Sequence, residues 1–79
     1  MKRHDLPDIL YAVIKDMGGE ASILDVCKYV WNHYQADLVN SGDLFYTWQY
    51  DIRWAATSLR KENRMKAAEI SPHGVWQII

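Results

Sequence analysis

The sequence predicts an α+β domain that is mostly helical, and three observations support this fold class. Apolar residues recur at helical spacing in three segments, at about 6–17, 22–34 and 47–62. After the third segment the apolar residues alternate, which is typical of short strands. The chain has 79 residues, about half the usual length of one domain, so we expect a single domain over residues 1–79.

The first helix is expected from about Leu6 to Met17, with Pro7 in its first turn. Its apolar residues, three and four positions apart, are Leu6, Ile9, Leu10, Val13, Ile14 and Met17. The pair Gly18-Gly19 ends the helix, because glycine accepts the left-handed conformation that closes a helix. The following Glu20-Ala21 leaves room for only a very short strand.

A second helix begins after Ser22, since Ser22 to Asp25 resembles a capping box with Asp in place of the usual Glu or Gln. Its apolar positions are Ile23, Val26, Cys27, Val30, Trp31 and Tyr34. The stretch from Gln35 to about Tyr46 is the least regular, and we expect a connection there with a turn at 40–43. Four of its residues could form an exposed apolar patch: Leu38, Val39, Leu44 and Phe45.

The third helix is expected from about Thr47 to Glu62. At 100° per residue its apolar side holds Trp48, Ile52, Ala55, Ala56 and Leu59. The opposite side holds Gln49, Tyr50, Arg53, Thr57, Arg60 and Lys61. This outer face carries three cations and no acid, because Asp51 and Glu62 lie at the margins of the apolar side. Trp54 lies at the flank, where packing is favoured over contact with DNA because large aromatic residues are mostly buried.

After Asn63, Met65–Ala68 and Val75–Ile78 read as two strands of a hairpin, joined by a loop that contains Ser71-Pro72-His73-Gly74. The predicted order is therefore helix, short strand, helix, helix, strand, strand. This is the order of a winged helix-turn-helix domain: three helices and a small antiparallel β-hairpin wing.

Several ordered pieces of the chain resemble one known family. They are Leu6-Pro7, Gly18-Gly19-Glu20-Ala21, Ser41-Gly42-Asp43-Leu44-Phe45-Tyr46, Ile52-Arg53-Trp54-Ala55 with Leu59-Arg60-Lys61, and Gly74-Val75-Trp76-Gln77-Ile78. Together, over about Leu6 to Ile79, they are similar to the N-terminal domain of Mrr-type restriction endonucleases. The resemblance implies a winged helix that binds DNA and precedes a separate nuclease domain. Two departures are Asn63-Arg64-Met65 in place of a glycine-containing turn, and an end at Ile79 where the family continues.

The residues give no support for catalysis or for a bound metal. A PD-(D/E)xK nuclease site needs an acid with Lys two positions later, and no Asp or Glu here has one. Cys27 is the single cysteine, and His4, His33 and His73 are far apart, so no ligand spacing typical of zinc is present. We therefore expect no cofactor and no enzymatic activity from this segment.

The charge of the chain is uneven, although its net value is only −1. Residues 1–47 carry four cations and seven acids, a net −3, whereas residues 48–79 carry five cations and three acids, a net +2. A near-neutral chain can therefore hold a basic stripe. No apolar run approaches the roughly 20 residues that span a bilayer. No signal peptide is recognisable, so no membrane association and a cytoplasmic location are expected.

These observations predict a winged-helix module that binds double-stranded DNA in a restriction or defence system. Base contacts are expected from Arg53 and Thr57, with Gln49 less central. Phosphate contacts are expected from Tyr50, Arg60 and Lys61, and wing contacts from Lys66, Ser71 and His73. A homodimer or an associated nuclease domain are the further partners considered. The alternative is a winged helix used for protein interaction or dimerisation, which the acidic first half and the apolar connection favour.

Overall fold

Three α-helices and two short strands make up the computed structural model, which describes residues 1–79. In chain order they are a 3-10 turn Arg3–Asp5, α1 Leu6–Asp16, β1 Glu20–Ser22, α2 Ile23–Val39, α3 Leu44–Lys61 and β2 Val75–Gln77. The prediction of a mostly helical α+β domain with three helices is confirmed.

The end of α1 follows the predicted glycine signal. Gly18 and Gly19 have φ of +97° and +98°, a region that side chains with a Cβ rarely adopt. Gly19 N donates to Ile14 O at 2.9 Å and Gly18 N donates to Lys15 O at 3.1 Å, the bond pair of a Schellman motif. The chain thereby turns from α1 into β1 within three residues.

Ser22 closes β1 and caps α2. Its Oγ accepts a hydrogen bond from Asp25 N at 3.0 Å, as the sequence predicts. β1 pairs antiparallel with β2, in the register Glu20 with Gln77, Ala21 with Trp76 and Ser22 with Val75. The sheet therefore joins the segment before α2 to the segment after α3.

The connection between α2 and α3 is much shorter than predicted. The expectation of an irregular stretch over 35–46 was wrong, because α2 continues to Val39 and α3 begins at Leu44, which leaves only the turn 40–43. α2 continues past non-helical dihedral angles at Tyr34 (φ −122°, ψ 18°), and Leu38, four residues later, is buried in the core. Leu38 and Leu44 are buried and Phe45 is half-buried, so only Val39 of the predicted apolar patch is exposed.

The predicted strand Met65–Ala68 is also wrong. Only Met65 makes a bridge, to Ile78, and the next backbone bond runs from Lys66 N to Gln77 O at 2.8 Å. The chain then turns, with the backbone N–H groups of Ile70 and Ser71 both donating to Ala67 O. Beside β2 the chain therefore forms only the bridge at Met65 and the adjacent Lys66 bond, and no second strand of a hairpin.

The junction that follows α3 is fixed by local bonds. Asn63 is the only residue other than glycine with positive φ (59°). Arg64 N donates to Leu59 O at 2.8 Å and Asn63 N donates to Arg60 O at 3.1 Å, which completes a second Schellman motif. Arg64 Nη1 lies 3.0 Å from Asp8 Oδ1, so the junction is tied back to α1.

One apolar core lies between the three helices and the sheet. Its 15 buried residues are Leu6, Leu10, Val13, Ile14, Val26, Val30, Leu38, Leu44, Trp48, Ile52, Ala55, Ala56, Leu59, Met65 and Trp76. All five residues assigned to the apolar side of the third helix are in this set, as is Trp76. The opposite side of α3 is therefore the side that can meet a partner.

Candidate functional site

The exposed side of α3 forms a ridge along the whole helix. Because α3 begins at Leu44, a tyrosine from the predicted connection joins this side, one turn before Tyr50. We define the outer ridge as Tyr46, Tyr50, Arg53, Thr57 and Lys61, which are all exposed and three or four positions apart. Tyr46 is 82% exposed and Tyr50 is 76% exposed. The ridge contains two cations, two phenols and no acid.

Arg53 lies near the middle of the outer ridge. Its Nη1 donates to Gln49 O at 2.8 Å, so the guanidinium bends back toward the preceding turn. Thr57 Oγ1 is 3.4 Å from Arg53 O. The guanidinium keeps further N–H donors for a ligand, since arginine carries five.

The one acid inside α3 is buried and paired. Asp51 is 8% exposed, and its Oδ1 lies 3.3 Å from Arg3 Nε. Thr47 Oγ1 donates to Asp51 Oδ2 at 2.7 Å. The negative charge of Asp51 is therefore compensated on the side of α3 that faces the 3-10 turn, and it adds little repulsion at the outer ridge.

Arg3 is a site residue that the sequence analysis missed. Its Cζ lies 3.8 Å from the ring centre of Trp54, so Trp54 packs under an arginine, and packing was the favoured alternative for this residue. Arg3 and Trp54 share a hollow of about 270 Å³ with Tyr50, Arg53 and Thr57 of the outer ridge. This places a third cation beside the ridge, from a segment far away in sequence.

The C-terminal end of the outer ridge has mixed charge. Lys61 lines a hollow of about 400 Å³ together with His4, Asp8 and Glu62. Asp8 is already paired with Arg64, but Glu62 has no ion-pair partner. The positive potential around Lys61 is thus weaker than around Arg53.

The remaining predicted site residues separate into three places. Arg60 is half-buried, and its Nε donates to Lys66 O at 3.3 Å, so these two residues lie together where α3 meets the following loop. His73 is exposed. The carbonyl of its neighbour Gly74 accepts a hydrogen bond at 2.9 Å from the N–H of Ile23, the first residue of α2, so His73 lies near the start of that helix. Ser71 is buried and its hydroxyl has no hydrogen-bond partner. In this structure its side chain does not reach the surface, contrary to the expected wing contact.

No group of three or more His, Cys, Asp or Glu side chains is placed to hold a metal ion. Partial burial raises the pKa of the Cys27 thiol, while the nearby charge of Arg53 lowers it by a smaller amount. Tyr29 donates a hydrogen bond to Asp16 and stacks on His33, with ring centres 3.9 Å apart. The hydrogen bond to Asp16 links α2 to the end of α1, whereas the stacking lies within α2.

None of the helices combines the length and the apolar character needed to cross a membrane. Comparisons with protein-family models, with curated proteins and with solved structures gave no match. A function for this chain therefore has to be inferred from its own residues and their geometry.

Proposed function

We propose that this domain binds double-stranded DNA as a winged helix-turn-helix, with α3 in the major groove. The observation that carries the proposal is the outer ridge, which is cationic, free of acids and exposed along a helix of 18 residues. α3 follows α2 after a turn of only four residues, at 40–43. A connection of this length is found in helix-turn-helix motifs. A major groove admits an α-helix, and cations on the exposed helix face pair with phosphates.

Each residue of the outer ridge then has a role that its position supports. Arg53 and Thr57, at the centre, would read base edges, with Gln49 beside them. Tyr46 and Tyr50, which are well exposed, would donate hydrogen bonds to phosphates, and Lys61 would pair with a phosphate near the C-terminal end. Arg3, although it comes from the N-terminal segment, would flank them as a phosphate contact.

The loop that follows α3 would supply the wing. Lys66, held beside Arg60, would approach one phosphate strand together with that arginine. His73 would contact DNA at the start of α2. Ser71 is left out of this interface because its side chain is buried.

The biological setting is a further part of the proposal, and it is supported only by the resemblance to the N-terminal domain of Mrr-type restriction endonucleases. On that basis the domain would read DNA for a restriction or defence system without catalysing a reaction itself. A nuclease domain, either in the same polypeptide or bound to it, or a second copy of this chain, would be its partner.

The test is fluorescence anisotropy of labelled duplexes at 25–200 mM KCl. Four cations assigned to phosphates predict that log Kd rises with log[KCl] with a slope of about 3–4. The four are Arg3, Arg60, Lys61 and Lys66. A duplex enriched by selection from a randomised pool would provide the preferred site. Folded protein that shows no salt-dependent binding to any duplex at 25 mM KCl would overturn the proposal.

Two variants separate base reading from phosphate contact. Arg53→Ala should cost about 1–3 kcal/mol on the preferred duplex and much less on random DNA. Lys61→Ala should weaken binding to both duplexes alike and lower the salt slope by about one. Lys15→Ala, an exposed cation on α1, is the matched control and should change neither quantity.

The second candidate function is protein interaction or dimerisation. The favouring observation is the exposure of Tyr46 and Tyr50, since tyrosine is enriched at protein interfaces. Of its two supports in the sequence, the apolar patch in the connection is lost through the burial of Leu38 and Leu44, whereas the acidic first half remains. A dimer in multi-angle light scattering that dissociates on Tyr46→Ala, combined with no binding to duplex, would favour this function instead.

A further inference from the structure

An open groove of about 470 Å³ lies between α2 and α3, beside the outer ridge. Five of its eight lining residues are apolar, among them Leu24, which is largely exposed, and the half-buried Trp31 and Phe45. Its volume is within the range of about 300–1,000 Å³ that is common for small-molecule sites. The proposed contact of α3 with DNA does not account for this apolar surface.

Three of the five apolar lining residues are aromatic, namely Trp31, Phe45 and Trp48, and the other two are Leu24 and Cys27. The rings of Trp31 and Trp48 are nearly parallel, with an interplanar angle of 6° and ring centres 6.3 Å apart. The ring of Phe45 lies 6.4 Å from that of Trp31 at an angle of 43°. Aromatic rings pack favourably against one another in offset or tilted arrangements, so this surface favours a planar, unsaturated ligand.

The charge of the groove is positive. Lys28 from α2 and Arg53 from α3 are its two charged lining residues, and no acid lines it. A cation such as a methylammonium would be repelled by these two groups, although the aromatic rings alone would suit it. An anion would meet two donors, and arginine binds a carboxylate through two parallel N–H bonds.

We propose that this groove binds a small planar aromatic carboxylate, whose ring packs against Trp31 and Phe45 and whose carboxylate pairs with Lys28 and Arg53. Arg53 is also the central residue of the outer ridge. A bound carboxylate would hold the Arg53 guanidinium in the groove, so that Arg53 could no longer contact DNA. The ligand would therefore inhibit DNA binding. This second step rests on the proposed function, whereas binding of the carboxylate does not.

The binding step is tested by NMR on ¹⁵N-labelled protein with 2-naphthoate as the probe, at constant ionic strength. The indole N–H signals of Trp31 and Trp48 should shift in a saturable way. The neutral isostere 2-naphthamide should bind about tenfold more weakly, because it lacks the charge-assisted hydrogen bonds. Lys28→Gln and Arg53→Gln should each weaken binding of naphthoate, and Lys15→Gln should leave it unchanged. Absence of saturable shifts, or equal affinity for naphthoate and naphthamide, would overturn the inference.

The inhibition step is tested by repeating the anisotropy measurement with saturating 2-naphthoate, and with sodium acetate at the same concentration as the control. Naphthoate should lower the affinity of the wild-type domain for the preferred duplex by about tenfold or more, the loss expected for one base contact. In Arg53→Gln it should have little effect. Duplex affinity that stays constant while naphthoate occupies the groove would refute the inhibition. Naphthoate binding by a protein that binds no duplex would instead refute the DNA-binding function and leave the carboxylate site standing.

Discussion

The guanidinium of Arg3 covers the indole ring of Trp54 at 3.8 Å and at the same time reaches Asp51, with 3.3 Å between Nε and Oδ1. A single side chain from the N-terminal turn therefore shields an aromatic ring and compensates the buried acid of α3. Without it, the carboxylate of Asp51 would lie next to the outer ridge with only the hydroxyl of Thr47 as a partner. The positive character of the ridge thus depends in part on a residue outside α3.

Replacement of Arg3 by Ala should reduce the free energy of unfolding by about 1 kcal/mol, through loss of a partly exposed cation–π contact and a partly exposed ion pair. Urea denaturation followed by circular dichroism measures this loss. Lys2→Ala, an exposed cation next to Arg3, serves as the control. Equal stability of the two variants would show that the contacts of Arg3 do not stabilise the fold.

Trp76→Ala should destabilise the domain by about 3–5 kcal/mol, since the side chain is only 4% exposed and its removal leaves a large cavity. A domain of this size has little stability in reserve, so much of the protein should be unfolded at 37 °C. Thermal denaturation compares it with Ile79→Ala, which alters an exposed side chain and should change little. A melting temperature within a few degrees of wild type would contradict the packing of Trp76.

Ser22→Ala should cost about 1 kcal/mol, because Asp25 N loses its hydrogen-bond acceptor at the start of α2. Ser22→Asp, which keeps an acceptor at this position, should restore most of the stability. Chemical denaturation of the three proteins gives the comparison. If the Asp variant is as unstable as the Ala variant, the loss does not come from the cap.

The thiol of Cys27 should titrate above its ordinary pKa, because partial burial disfavours the thiolate. In the unfolded chain the thiol loses its proton at lower pH than in the folded state. The contribution of Cys27 to stability is therefore complete at neutral pH and is lost as the pH rises through the thiol pKa of the folded state. The pH dependence of alkylation by iodoacetamide measures the pKa.

Arg53→Ala should raise the Cys27 pKa further, since the charge of Arg53 opposes the effect of burial. The matched control is Lys61→Ala, which removes a cation from the same helix but not from the groove. A Cys27 pKa that stays unchanged in Arg53→Ala would show that the guanidinium does not lie close enough to the thiol to act on it.

Much of the helical part of the fold could be predicted from the sequence, because its signals are local. The glycine pair after α1, the Ser22 cap and the apolar side of α3 each depend on residues within one or two turns. The length of α2 was underestimated, although Leu38 follows Tyr34 by four positions and continues the apolar pattern of this helix. The turn residues at 40–43 outweighed that single position, and the non-helical angles at Tyr34 leave no mark on the local sequence.

The sheet could be predicted only in part, because its pairing joins segments that are distant in sequence. The partner of Val75–Gln77 is β1, and a pairing between segments so far apart leaves no mark on local periodicity. Alternation over Met65–Ala68 suggested a hairpin instead, but after the bridge at Met65 the chain turns at Ala67.

The residues of the candidate site could also be predicted only where local helical periodicity places them. Arg53, Thr57 and Lys61 were found from the helical wheel, because one helix orders them. Tyr46 was missed because α3 was assigned too late a start. Arg3 had no signal at all, since only the packing of the N-terminal turn on α3 brings it beside Trp54.

The pairing of β1 with β2 also has a consequence for the order of folding. Glu20 and Gln77, which face each other in the sheet, are 57 residues apart in sequence, so their approach closes a long loop and carries a large entropic cost. The helices can form and collapse first, and the sheet would then close in a late step of folding. Val75→Ala should accordingly raise the unfolding rate in a chevron plot and leave the refolding rate nearly unchanged. Slower refolding in that variant would place the strand pairing in the transition state instead.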